Sequence, residues 1–450
     1  MFEDNERKLS LIFISPDIRK LLQTIGEMPQ AKVYLVGGFV RDSLLGIPSH
    51  DYDIATNIDI ETTALFLRNH GYTVINTNDF GTIAVMLNGQ KVDIAQLSGD
   101  VYDMKSRKPS IYMVNTIEED LRRRDFTINS MAIEYPNMQL IDPFDGIKAL
   151  KMKLLDTVRN PDEVFMEDPL RMMRAARFAS KYNLTIVSSV ENAIKANRNE
   201  LNRIAAERIH EEILKGFQRN KRQQATYALN LIVLRLLDVI FPEFSGFLLI
   251  HHDRRGHHYN EDLAQHMLDS VIRCPDTDPL LNIAVFLHDI GKMQTMTVND
   301  DKIQFISHDS VGAQILQNRL PKLKFTSQET AFIVRIVENH LFFTQVKTAS
   351  VPRKMLAKFF IEQKEDIVFL NKLALAAQAD QKENYEEYMR VLYEFTGIPK
   401  ILTGIDVLEF PPDIRARLLQ KARYYQLIGQ GQTREQLLHL IRTDFAAGAV

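Results

Sequence analysis

Cysteine is almost missing from this chain: Cys274 is the only one in 450 residues. A single thiol excludes an intrachain disulfide and the stapled scaffolds of small secreted proteins, and it fits a reducing cytosol. Long apolar runs are missing too. The best stretch, LNLIVLRLLDVIF (229–241), is broken by Arg235 and Asp238. It predicts a core helix, since a membrane span takes about 18 or more apolar residues. The opening residues, MFEDNERKLSLIFISPDIRK, carry acids where a secretory leader carries basic residues, and their apolar run (11–15) is too short for one. Repeats and low-complexity linkers are absent, so domains are expected to pack directly on one another. The expectation is a cytoplasmic protein with no membrane segment and no feature that points to a protein partner.

What is present is an ordinary globular composition, 45% hydrophobic and 25% charged. The length suggests about three domains, give or take one. The net charge of −3 argues against a protein that coats nucleic acid. Its distribution is uneven: residues 101–225 hold 22 Lys and Arg against 18 Asp and Glu. The basic residues cluster as KSRK (105–108), RRR (122–124), RMMRAAR (171–177) and RNKR (219–222). A local basic surface on a mildly acidic protein fits a nucleotide or RNA held at one place.

Residues 30–135 alternate strand and helix patterns. AKVYLVGG is an apolar strand running into glycines, and FVRDSLLG is a short helix ended by Gly46. DYDIAT is extended, ETTALFLRNHG is an amphipathic helix, and TIAVMLNGQKVDIAQL is a hairpin turning at Asn88-Gly89. From about 160 onward the pattern is helical, with Pro161 and Pro169 near helix starts. Near the end, Thr433 and Gln436 form a capping box.

Two constellations carry chemistry, and the first is read through two motifs. In GGFVRDSLLGIPSHDYD (37–53), a strand ending in Gly37-Gly38 and opening a helix offers backbone N–H groups to an anion, and Arg41 stands one turn in, placed to fork onto phosphate oxygens. Asp51 and Asp53, two apart on an extended segment, point to one side and repel unless a divalent cation lies between them. Asp93, on a later strand, could complete the set. In EDPLR (167–171), Asp168 and Arg171 are three apart on an expected helix and would share a face. Asp only accepts and Arg only donates, so the pair matches the Watson–Crick edge of cytosine or adenine and leaves polar groups unpaired against uracil or guanine.

GGFVRD with DYD, LRRRDFTINSMAIE (121–134), IDPFDGIKAL (141–150) and EDPLRMMRAARFA (167–179) together resemble the class II tRNA nucleotidyltransferases and bacterial poly(A) polymerases. The resemblance implies an α+β fold: a polymerase-beta-like head with a mixed sheet and helices, then all-helical neck, HD and tail domains. The expected division is 1–140 head, 141–245 neck, 246–395 HD domain and 396–450 tail. It implies Asp51 and Asp53 as Mg2+ ligands and Asp93 as the third acid, where the family more often has Glu. It implies nucleotide binding by Gly37, Gly38, Arg41, Arg123, Arg124, Asp125, Asn129, Asp168, Arg171, Arg174 and Arg177. The family's DG-x-x-D pattern ends here in Ala149.

The second constellation is histidine-rich: His266, His288-Asp289, His308, His340 and Asp380 follow the order of an HD-type phosphohydrolase with the two extra histidines of two-metal members. The resemblance implies a divalent metal there, of unknown identity. The implied activity is template-independent addition or repair of the 3′-terminal CCA of tRNA from CTP and ATP. Alternatives are a poly(A) polymerase, an enzyme adding only CC or only A, and an HD phosphodiesterase with an RNA-binding head. The tail (396–450) holds seven Lys and Arg against five Asp and Glu, and lacks the strongly basic extension usual in poly(A) polymerases of this group.

Overall fold

The computed structural model describes residues 14–49, 51–78, 81–101, 110–244, 263–299, 302–342, 353–380 and 385–449. Two units are formed: Met1–Glu212 with Asn230–Ile240, and Ile213–Leu229 with Phe241–Val450.

The first unit is built on a seven-stranded mixed sheet. Its strands are β1 (Val33–Val36), β2 (Asp53–Thr56), β3 (Thr73–Asn78), β4 (Thr82–Leu87), β5 (Gln90–Gln96), β8 (Ala132–Tyr135) and β9 (Gln139–Ile141). The ribbon β6 (Ser98–Val101) and β7 (Ser110–Met113) stands apart. The order is β3-β4-β5-β2-β1-β8-β9. Only the β2–β5 pair is parallel. β1 is central, and all four of its residues are buried, which is why VYLV reads as an unbroken apolar run. Alternation sends Tyr34 and Val36 to one face, where they pack with Ala55, Leu97, Val114, Ile117, Leu121 and Ala132. The hairpin turn at Asn88-Gly89 has φ of 49° and 82°, the two positive values that a two-residue turn of this hand requires.

Register brings the site together. Val36 lies opposite Asp53, and Asp53 lies opposite Asp93. The end of β1, where the chain turns into Gly37, therefore shares one row with both acids.

Helices follow: Gly146–Met152, Pro161–Glu167, Leu170–Tyr182, Ser188–Asn197 and Ala206–Phe217. Asp142 accepts the free N–H groups of Gly146 and Ile147 at 2.7 and 2.9 Å and so caps the first of these. A short parallel pair, Leu154–Leu155 with Thr185–Ile186, adds strand to a segment expected to be all helix. The run 229–241 corrects the expectation of one core helix. The helix Lys221–Val233 stops, and a second, Leu237–Ile240, begins. Arg235 has φ +61°, with the N–H of Leu236 bonded to the carbonyl of Leu231 and that of Arg235 to Ile232, a helix-ending motif that any residue tolerating the left-handed region can supply.

The second unit is helical, with one antiparallel strand pair among the described residues, Met296–Asn299 with Lys302–Phe305, that the pattern did not predict. Its last helices, Arg415–Leu427 and Arg434–Ala446, pack with Leu402, Val407 and Phe410, and the Thr433–Gln436 capping box forms. No helix among the described residues is long and apolar enough to cross a membrane.

Gly146 is one position where only glycine fits. A Cβ there would lie 2.5 Å from the carbonyl oxygen of Thr127 and 2.9 Å from Met131. Gly146→Ala is expected to destabilise the first unit by about 1–3 kcal/mol, as overpacking does. An unchanged thermal midpoint in calorimetry would contradict that packing.

Candidate active site and metal centre

At the carboxylate end of the sheet, Gly37 takes φ +70° and opens the helix Gly38–Leu44. A Cβ on Gly37 would stand 3.1 Å from both Asp53 Oδ2 and an Arg124 Nη, so acid and guanidinium meet over this glycine. Asp51 is exposed and Asp53 half-buried. Burial pushes the Asp53 carboxyl up to about 6; Arg124 pulls it back, and Asp51 and Asp93 push it further up. Lys91 holds Asp93, with Nζ 2.8 Å from Oδ1. Asp51, Asp53 and Asp93 are not among the triplets of ligand atoms that close to within 4.8 Å of one another among the described residues. They form an acceptor-only group around the half-buried Asp53 carboxyl, a ligand set that suits a hard divalent cation.

The arginines are each committed to an acid. Asp120 is buried and takes Arg123 through Nε and Nη2 at 3.2 and 3.1 Å, and Arg124 through Nε and Nη2 at 3.4 and 3.1 Å. Burial raises Asp120, but the two guanidiniums outweigh it and hold the carboxyl below its ordinary range. Asp125 accepts from Arg174 Nε at 2.8 Å and from Asn129 at 2.9 Å. Arg177 is held by the buried Glu212 at 2.6 Å. Arg41 is only 4% exposed: it bonds Asp42 at 2.8 Å and Asn129, and its guanidinium lies 4.4 Å over the Tyr182 ring. The guanidinium expected to fork onto phosphate is engaged inside the fold.

Asp168 and Arg171 do not share a helix face. Asp168 precedes Pro169, which disfavours helical backbone at the residue before it. It adopts φ −137° and ψ 97°, and the helix starts at Leu170. Its carboxylate accepts from Leu170 N at 3.1 Å and from Arg208 at 2.8 Å. Arg171 instead donates to Glu167 at 3.1 Å and to the Arg123 carbonyl at 2.9 Å.

In the second unit the expected histidines converge. Asp289, buried, has Oδ2 3.3 Å from His266 Nε2 and from His288 Nε2, and Oδ1 3.3 Å from His308 Nε2. His266, His288 and Asp289 form one triplet of ligand atoms, and Asp289, His308 and His340 form another. The Nδ1 atoms of His288, His308 and His340 face the carbonyls of Val285, Phe305 and Val337 at 2.6, 2.8 and 2.6 Å. A carbonyl only accepts, so each Nδ1 carries the proton, and each Nε2 turns toward the centre. Burial lowers His340 to about 4, so it is neutral at pH 7, and its buried Nε2 lone pair has no hydrogen-bond partner among the described residues. Lone pairs and a carboxylate packed this closely need a cation among them, and a divalent metal fits. Asp380 ends the helix Ile367–Asp380, and its side chain lies outside the described residues.

Comparison with known proteins places this architecture. The family models described as Poly A polymerase head domain, Probable RNA and SrmB- binding site of polymerase A, and HD domain match residues 33–156, 183–248 and 257–385. The CCA-adding enzyme of Lactobacillus helveticus is 33% identical over 303 residues, 66% of this chain and 72% of that protein. The chain belongs to the CCA-adding enzyme family. It spans about half the length of other curated CCA-adding enzymes that it matches, 54% of that of Latilactobacillus sakei at 37% identity over 219 residues, which is 48% of this chain. The fold is that of the Bacillus stearothermophilus CCA-adding enzyme in complex with CTP, with a TM-score of 0.70 at 21% identity over 96% of this chain and 100% of that one. Nucleotidyltransferase and HD domains imply divalent-metal use.

Sequence reasoning missed the acids behind the arginines: Asp42, Asp120, Glu167 and Glu212. Asp120 was findable, three and four residues before Arg123 and Arg124 on a helix turn. Glu212 lies 35 residues from Arg177, and nothing local announces it. Lys292, 2.7 Å from Asp289, was also passed over.

Asp53 generates a pH prediction. Without metal it binds its proton more tightly folded than unfolded, so its contribution to stability is complete below about pH 4 and is lost as pH rises through about 6. The shift from 3.8 to about 6 corresponds to roughly 3 kcal/mol. In a chelator, Asp53→Asn should abolish this slope and melt above the wild type at pH 7. Superimposable melting-versus-pH curves for the two proteins would refute the assignment.

Proposed function

We propose that this chain is a template-independent tRNA nucleotidyltransferase that builds or repairs the 3′-terminal CCA of cytoplasmic tRNA from CTP and ATP, with an appended HD phosphohydrolase domain. The observation that carries the reading is the register that sets Asp53 opposite Asp93 beside Gly37 and Arg124. We divide the chain into head (1–140), neck (141–245), HD domain (246–395) and RNA-docking tail (396–450).

In the head, Asp51 and Asp53 would hold Mg2+, with Asp93 as the third acid. Mg2+ when bound supplies charge neutralisation on the phosphoryl oxygens. The backbone N–H groups after Gly37 and the guanidinium of Arg124 receive the polyphosphate. Asp125 and Asn129, fixed by Arg174 and Arg41, face the ribose side. The incoming base is read by acceptor and donor together: its exocyclic amine takes the place on Asp168 that Arg208 holds, while Arg171 gives up its bond to Glu167 and donates to the ring nitrogen. The 3′-hydroxyl of the RNA attacks the α-phosphate and pyrophosphate leaves. In the HD domain, His266, His288, Asp289, His308 and His340, with Asp380, would hold the second divalent metal for hydrolysis of phosphate esters.

The experiment is addition to tRNA lacking CCA, with Mg2+ and each labelled nucleotide. CTP and ATP together should add three nucleotides and stop; long poly(A) on unstructured RNA would replace this reading with a poly(A) polymerase. Asp168→Ala should relax the choice of base by about 10–100-fold, since a charge-assisted hydrogen bond is worth roughly 1.5–3 kcal/mol. Undiminished exclusion of UTP and GTP would refute the base-reading role. Hydrolysis of 2′,3′-cyclic phosphates or phosphomonoesters should vanish in His288→Ala with Asp289→Ala; its survival there would remove the activity from this cluster.

A further inference from the structure

Asp120 is the least exposed acid near the head site. It sits on the helix Ile117–Arg122, with its side chain 2% exposed. Its two oxygens divide the work. Oδ1 receives Nε and Nη2 of Arg123 and the backbone N–H of Ser98, and Oδ2 receives Nε and Nη2 of Arg124. A carboxylate is the only side chain with two equivalent acceptor oxygens that can meet two guanidiniums edge-on. Arg124 thereby spends its Nε–Nη2 edge on Asp120. The remaining amino group, Nη1, stands over Gly37, within 3.1 Å of the point where a Cβ would be and where Asp53 Oδ2 also arrives. Without the anion between them, two neighbouring guanidiniums repel and turn outward.

Resting on the polyphosphate-binding reading given above, we propose that Asp120 is a positioning residue: it aims the Nη1 end of Arg124 at the Gly37–Asp53 corner and so fixes where the polyphosphate of the incoming nucleotide is held. The alternative is that Asp120 only stabilises the fold. The two differ in what Asp120→Asn does. An Asn has one acceptor oxygen and an NH2 group that faces donors, so it serves one arginine and releases the other.

The test is a double-mutant cycle of Asp120→Asn and Arg124→Ala in the full chain, read in two ways. The first is calorimetric titration with inorganic tripolyphosphate. The second is KM for CTP, KM for tRNA lacking CCA, and kcat. Asp120→Asn is expected to weaken tripolyphosphate binding and raise KM for CTP by tenfold or more, with KM for tRNA within twofold of wild type. In the Arg124→Ala background it should have little further effect. A fully additive cycle, or wild-type tripolyphosphate binding by Asp120→Asn, would overturn the proposal. If Asp120→Asn does not melt as a folded protein, Asp120→Glu takes its place: it keeps the charge but displaces it by one methylene, and the same coupling is expected. The two readings fail separately. A wild type that binds tripolyphosphate through Asp120 yet adds no nucleotide to tRNA refutes the transferase reading and leaves the positioning role intact. A wild type that adds CCA while the Asp120 variant binds tripolyphosphate normally does the reverse.

Discussion

Each arginine gathered near the head site depends on an acid to hold it there. A buried guanidinium without a partner is strongly unfavourable, and several together would repel one another. The chain meets this with Asp42 for Arg41, Asp120 for Arg123 and Arg124, Asp125 for Arg174, Glu167 for Arg171 and Glu212 for Arg177. Two of these pairs cross between elements, Arg174 on the helix Leu170–Tyr182 to the loop at Asp125 and Arg177 on the same helix to Glu212 on the helix Ala206–Phe217. They therefore fix the relative placement of the segments that carry the candidate nucleotide contacts. Replacing one acid would leave a cation buried and uncompensated, which is why the pairs specify one arrangement more than they add stability.

The same network explains what was legible in the sequence. Local features were: the Asn88-Gly89 turn, the apolar β1 running into glycines, and the capping box at Thr433. Each is decided within a few residues by backbone conformation and periodicity. The clustered arginines were legible as a basic surface, but their acids were not, because Glu212 reaches Arg177 only through the packing of two helices. The Asp168–Arg171 spacing does not yield the shared helix face expected of it, for an instructive reason. A spacing of three gives a shared face only if both residues are helical, and Pro169 disfavours that for the residue before it. The rule that breaks the helix was in the sequence, and it outweighs the one that spaces the side chains.

The histidine centre was legible by order and not by period. Its residues come from separate helices and from the residues that end them: His288 and His340 each follow a helix, and His308 begins one. Each of these three hydrogen-bonds through Nδ1 to the carbonyl three residues earlier. The backbone thereby fixes tautomer and ring direction before any metal arrives, so the site is organised by the ends of helices that pack for other reasons.

The parallel pairing of β2 and β5 inside an otherwise antiparallel sheet has a consequence for how firmly the third acid is placed. Side chains alternate strictly along a strand, so Asp93 faces the same side as Asp53 only for one parity of β5. That parity is counted from the turn: β4 ends at Leu87, two residues reverse the chain, and Gln90 pairs back with Leu87. Asp93 is three steps beyond. A turn of odd length would send Lys91 and Asp93 through the sheet to its opposite side while leaving every residue of the strand unchanged. The position of an acid in the site is in this sense arithmetic, set by the two residues Asn88 and Gly89 that reverse the chain.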